Sequence, residues 1–141
     1  MRARRLLLGA VLSLAACSYV RSEHYPQAGA RGLVHLGQTL DNDNRVIDAH
    51  GELHLHKKAL FIQVQTFQSS PGVHVLRCRL LGLHGDLLDE QSERSATPPG
   101  QDSYLGICHF QLHSDQTPGL WHYDVEVDGM LLRDSSLVMR P

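Results

Sequence analysis

The chain has 141 residues, 42% hydrophobic and 20% charged, with 13 Lys and Arg against 15 Asp and Glu for a formal charge of −2. That length holds one globular domain plus some additional chain, which excludes a large multidomain enzyme. Twelve Gly and six Pro are too few for a low-complexity chain, and a near-neutral charge provides no basic field to condense on nucleic acid, so no nucleic-acid partner is expected.

Residues 1–16 combine a basic start (Arg2, Arg4, Arg5), an apolar run from Leu6 to Leu14 and the small pair Ala15-Ala16 directly before Cys17. This pattern predicts a secretory signal, and the run is too short to span a bilayer as a helix. The string Leu14-Ala15-Ala16-Cys17 resembles the lipobox of bacterial lipoproteins. The resemblance implies cleavage before Cys17, lipidation of its sulfur and amine with chains of the palmitate class, and attachment to a cell-envelope membrane. Ser18, where aspartate is absent, implies the periplasmic face of the outer membrane, with the inner membrane as the alternative. Removing three arginines from 13 basic residues against 15 acidic ones leaves a mature charge of −5. Residues 17–32, with Pro26, Gly29 and Gly32, then read as the lipidated cysteine and a flexible tether.

The other two cysteines, Cys78 and Cys108, lie on the more apolar faces of two alternating segments: His74, Leu76, Cys78, Leu80, and Tyr104, Gly106, Cys108, Phe110, Leu112. In an exported chain this predicts a Cys78–Cys108 disulfide inside one core. No CxxC pair is present to suggest a redox role.

Residues 33–141 read as one all-β domain, a succession of short period-2 segments without a long amphipathic helix. Weaker strands fall near Val34, Val46 and Leu53. Residues 59–67 place Leu60, Ile62 and Val64 on one face, and Ser69-Ser70-Pro71-Gly72 suggests a hairpin into residues 73–81. His84-Gly85-Asp86 is a turn, and residues 91–102 read as a polar loop crossing to the Tyr104 strand. Residues 121–127 alternate Trp121, Tyr123, Val125 and Val127 against His122, Asp124 and Glu126, giving one core face and one wet face. Asp128-Gly129 turns the chain into a closing strand over residues 130–139. The total is seven to nine strands.

Residues 36–46, a strand near Leu60, and residues 118–129 with their Pro-Gly-x-Trp and Asp-Gly strings resemble a family of bacterial immunoglobulin-like ectodomains. The likeness spans most of residues 33–141. It implies an antiparallel β-sandwich of immunoglobulin type, and its motifs imply no activity.

Ten histidines are the compositional oddity. His50, His54 and His56 cluster with Glu52, and a strand would project His54 and His56 from one face, where imidazoles bind Zn or Cu. Leu53 and Leu55 make the same string an ordinary half-buried strand with histidines on its wet face. His109, His113 and His122 fall on outward faces, where they read as scattered solvated side chains or as a surface that charges below about pH 6.5. Asp41-Asn42-Asp43-Asn44 begins like a calcium loop, but Arg45 occupies the next ligand position, so it reads as an Asx turn. No nucleophile elbow, His-Glu-x-x-His helix or phosphate loop occurs. The sequence therefore predicts a lipid-anchored, non-catalytic binding or accessory module for another envelope protein, needing no cofactor. A periplasmic Zn- or Cu-binding lipoprotein is the alternative, and an inhibitor presenting residues 91–102 a third reading.

Overall fold

A computed structural model describes residues 32–49, 52–67, 70–101 and 103–141. The expected signal over residues 1–16, Cys17, the tether up to residue 31, and His50 lie outside the described residues. The described chain runs β1 (Gly32–Gly37), β2 (Thr39–Leu40), β3 (Val46–Ile47), β4 (Leu53–His54), a 3-10 turn (Leu55–Lys57), β5 (Ala59–Phe67), β6 (Gly72–Leu81), β7 (Leu87–Thr97), β8 (Ser103–Gln111), β9 (Gly119–Val127) and β10 (Met130–Arg140). Seven strands have six residues or more and three have two. No described helix is long and apolar enough to cross a membrane.

Period-2 alternation gives each long strand one apolar side, and two sheets bury those sides against each other. One sheet is ordered β1-β5-β8 and the other β4-β10-β9-β6-β7, with a small β2-β3 ladder beside them. All pairings are antiparallel except β4 with β10. Leu60, Ile62 and Val64 of β5 and Tyr104, Cys108 and Phe110 of β8 line the first inner face. Leu76, Cys78 and Leu80 of β6, Trp121, Tyr123 and Val125 of β9, and Leu137 and Met139 of β10 line the second. The result is the expected immunoglobulin-like antiparallel sandwich. The Cys78–Cys108 disulfide, Cα to Cα 6.4 Å, joins β6 of one sheet to β8 of the other.

The closing hairpin is as expected: Asp128 and Gly129 both have positive φ, 52° and 77°, the two-residue geometry that matches strand twist. Trp121 is buried, and its indole N–H donates to the Thr117 carbonyl at 3.0 Å, locking the Pro-Gly-x-Trp corner. The turn at residues 82–86 closes through the Gly82 N–H donating to the Asp86 carbonyl at 2.8 Å.

Three expectations are corrected. Strands β5 and β6 form no hairpin, because β5 pairs with β1 and β8 while β6 pairs with β7 and β9. Both strands carry a strongly apolar face, and placing them in opposite sheets lets those faces meet. Residues 91–97 are not loop but the second half of β7, leaving a connection over residues 98–102. As the outer strand of its sheet, β7 directs Gln91, Glu93 and Ser95 toward the rim of the other sheet, where polar groups find partners. There the Glu93 carboxylate accepts from the Ile107 N–H at 2.9 Å, so this half of the expected loop is strand and not a presented segment. The outward side of β9 is not simply wet either. Asp124 is only 8% exposed and lies under a bidentate Arg79 guanidinium, Nε to Oδ1 2.8 Å and Nη2 to Oδ2 2.7 Å. Arg77 joins Glu90 at 2.9 Å and Glu126 at 3.5 Å beside it.

Two stability outcomes follow from this construction. Replacing both Cys78 and Cys108 by Ala removes a cross-link spanning 30 residues, with an expected loss of about 3–4 kcal/mol. It is read by urea unfolding with the single, buried Trp121 as fluorophore. Arg79→Ala strands the Asp124 carboxylate and is expected to cost about 1–3 kcal/mol, most of which the double replacement Arg79→Leu/Asp124→Leu restores.

Candidate functional site

The histidine cluster is arranged differently from the strand expected. Strand β4 ends at His54, and Lys58, at φ 59°, closes the 3-10 turn that follows, so His56 does not continue the strand. Leu53 and Leu55 are buried, as their apolar character demands. The His54 and His56 rings are nonetheless 5.0 Å apart, with their Nδ1 atoms 3.4 Å and 3.2 Å from the Pro141 carbonyl oxygen. Among the described residues no group of three or more His, Cys, Asp or Glu side chains is placed to hold a metal ion.

The 41–44 string is the Asx turn expected. Asp41 Oδ1 accepts from the Asp43 and Arg45 N–H groups at 2.9 and 2.8 Å, and Asn44 takes a positive φ of 57°. Of the outward histidines, His109 stacks on Phe61 with centroids 4.6 Å apart. His122 Nδ1 meets Ser136 Oγ at 3.0 Å, and His113 is exposed.

The turn at residues 41–45 serves a larger feature, a polar cleft of about 610 Å³ on the outer face of the β1-β5-β8 sheet. His35, Gln63, Gln65, Ser103 and Leu105, all on the side opposite the core, form its floor. One wall is the β2–β3 hairpin with Asp41, Arg45 and Asp48; the other is the end of β7 and its turn, with Thr97, Pro98 and Gln101. The hairpin wall is held in two ways. The Gln63 side chain accepts from the Val46 N–H at 2.9 Å, and Gly37 lets the Ile47 carbonyl approach where a Cβ would collide.

His35 Nδ1 meets Asp48 Oδ2 at 3.0 Å. Arg45, Gln65 and Gln101 make no side-chain bond to other described residues, and the buried Thr97 hydroxyl has no partner among them. Ser103, the cleft's serine among the described residues, lies far from the His35–Asp48 couple. In register His35 lies across Gln63 from Ile107, whereas Ser103 lies opposite Phe67. Two strands across and four residues along is about 16 Å. The cleft can therefore present hydrogen bonds and mixed charge to a polar partner, and it does not bring Ser103 together with His35 and Asp48. A second cleft of about 430 Å³ lies between the turns at 82–86 and 115–119 and is lined by Leu83, Leu88, Pro118 and Trp121.

Sequence reasoning missed His74. It sits on the core side of β6, 6% exposed, with Nδ1 at 2.6 Å from Asp128 Oδ2 and Nε2 at 2.7 Å from the Ser70 carbonyl. The Asp128 hydrogen bond, helped by Ser70, raises its pKa above the ordinary 6.5 against the opposing effect of burial. Burial pushes Asp128 up, but bonds from His74 and the Val75 N–H prevail and lower it. The signal was present in the sequence as a histidine within the run His74-Leu76-Cys78-Leu80, on a face otherwise apolar.

No protein-family model and no curated protein matches the chain. Among solved structures, a β-glucosidase from Listeria innocua in complex with isofagomine is similar at 14% identity and TM-score 0.51, over 83% of this chain and 17% of that one. An alkylpurine DNA glycosylase from Pseudomonas fluorescens bound to DNA aligns at 12% identity and TM-score 0.48, covering 80% and 31%. An immunoglobulin-like protein from Pseudomonas aeruginosa aligns at 16% and 0.43, covering 81% and 98%. The chain spans about a sixth of the length of the β-glucosidase it matches, and at that identity the likeness shows the fold alone.

Proposed function

We propose that this protein is a lipid-anchored component of the cell envelope, held through Cys17 at the periplasmic face of the outer membrane, and that its sandwich is a non-catalytic binding module for another envelope protein. The cleft on the β1-β5-β8 sheet is its binding surface. The observation that carries this reading is a set of uncommitted polar groups, Arg45, Gln65 and Gln101, placed on rigid strands and braced turns around one concavity. Fixed polar groups surrounding a cleft are how a scaffold obtains specificity without chemistry. The lipobox string supports the anchoring, and acyl chains at about 0.8 kcal/mol per buried methylene would keep the partner search within the plane of a membrane.

Crosslinking followed by affinity purification of the full-length, membrane-held protein tests both parts. Wild type is expected to recover one envelope complex. Arg45→Ala/Gln65→Ala/Gln101→Ala is expected to lower that recovery about tenfold, the loss of roughly 1.4 kcal/mol of binding, with unchanged thermal unfolding. Gly37→Ala, which displaces the β2–β3 wall, is expected to lower it similarly. Cys17→Ala is expected to weaken recovery by releasing the protein from the membrane. Equal recovery by the cleft variants would overturn the assignment of the cleft, and recovery of nothing specific by wild type would overturn the binding-module reading.

The proximity of His54 and His56 favours a second reading, a Zn or Cu site completed by His50. Calorimetric titration of wild type with each metal is then expected to show one tight equivalent that His54→Ala/His56→Ala loses. Equal weak uptake by both proteins sinks this reading.

A further inference from the structure

The surroundings of His74 demand a particular protonation state. Each ring nitrogen faces an oxygen that only accepts: the Asp128 carboxylate at Nδ1 and the Ser70 backbone carbonyl at Nε2. A neutral imidazole carries one N–H and satisfies one of them, leaving a lone pair against an oxygen at the other. Only the imidazolium donates to both. Asp128 is itself tied to β6, its Oδ1 accepting from the Val75 N–H at 2.9 Å and its own N–H donating to the Val75 carbonyl at 2.9 Å. His74 therefore bridges Asp128 of the β9–β10 turn and Ser70, which precedes β6.

The strand ends on either side of Ser70 support the cleft. Phe67, three residues before Ser70, pairs with Ser103 in the cleft floor, and Gly72, two residues after it, pairs with Thr97 in the cleft wall. We infer that His74, Ser70 and Asp128 form a proton-operated latch that sets the β7–β8 wall of the cleft, holding it while the imidazole carries two protons and releasing it when one is lost.

The other groups facing His74 do not compensate for that loss. The Tyr104 ring of β8 packs 5.2 Å away, its phenol pushed up by burial and so neutral. Ser95 of β7 lies opposite in register. Glu93, the nearest carboxylate on β7's inward side, is engaged with the Ile107 N–H.

The direction of the pH effect follows. The raised His74 contributes stability that is complete below 6.5 and is lost as pH rises through its folded pKa. The lowered Asp128 contributes stability that is complete above 3.8 and is lost as pH falls through its folded value. The latch is thus fully closed between those two values and opens on the alkaline side as pH rises through the folded His74 pKa.

The latch itself is testable without a partner; its effect on binding rests on the cleft being the binding surface. NMR titration of the imidazole in wild type is expected to give a His74 pKa above 6.5 and a doubly protonated ring at pH 6. Asp128→Asn keeps a residue suited to the positive-φ turn position but removes the charge, and is expected to bring the His74 pKa down to 6.5 or below. Protection of the Val75 and Asp128 amides, corrected for the intrinsic exchange rate, is expected to fall about tenfold in wild type from pH 6 to pH 9. His74→Gln is expected to abolish that dependence. A His74 pKa at or below 6.5 in wild type, or one unmoved by Asp128→Asn, overturns the latch. A confirmed latch with partner recovery that does not change between pH 6 and pH 9 overturns its coupling to the cleft, while loss of all recovery at both values counts against the cleft and leaves the latch standing.

Discussion

The seam between the two sheets is the constraint on which the rest of the molecule depends. Leu60, Ile62, Val64, Leu76, Leu80, Phe110 and Val125 are all essentially excluded from water, and none can be so unless β5 and β8 face β6 and β9 across a single interior. The Cys78–Cys108 bond crosses that seam at its middle, so the relative placement of the sheets is held covalently as well as by burial. For a domain of this size, with limited capacity to bury surface, a cross-link of that kind is a substantial share of total stability.

Committing one side of every strand to the seam leaves the outer sides free to differ, and they do. The outer face of the five-stranded sheet is occupied by its own charges: Arg77 and Arg79 interleave with Glu90, Asp124 and Glu126, so these groups satisfy one another. The outer face of the three-stranded sheet is left with His35, Gln63, Gln65 and Ser103, and turns at either side raise it into a cleft. The contrast supports the cleft as the proposed binding surface. A paired ion lattice has little to gain from new contacts, whereas the Gln65 and Gln101 amides and the Arg45 guanidinium, without side-chain partners among the described residues, do.

The rim of the sandwich is where polar groups enter the structure. Glu93 caps the β8 edge, Tyr104 folds over Gly106, and His74 bridges Ser70 and Asp128. Charge at this rim is tolerable because each ionised group is met by a fixed donor or acceptor. It also makes that end of the domain responsive to protons in a way that the apolar seam is not. The latch and the cleft are therefore neighbours through the backbone, joined by the pairings of Phe67 with Ser103 and Gly72 with Thr97.

Taken alone, the amino-acid sequence determined which side of each strand would be buried. Period-2 alternation, itself a consequence of the pleat, placed Cys78 and Cys108 inward and therefore together, and the need for two positive φ angles placed the Asp128-Gly129 hairpin. Alternation is silent about which strand lies beside which, because that choice depends on pairing between residues far apart in the chain. Tertiary structure decided that β5 and β6 separate into opposite sheets, and that the polar residues 91–97 become an edge strand whose backbone is satisfied by β6. It also decided that segments near 35–48, 63–65 and 96–105 converge on one cleft. His74 shows the division most clearly: its inward direction was legible from its neighbours, but its meaning came from Asp128, 54 residues away, whose partly exposed carboxylate meets the buried imidazole at the rim.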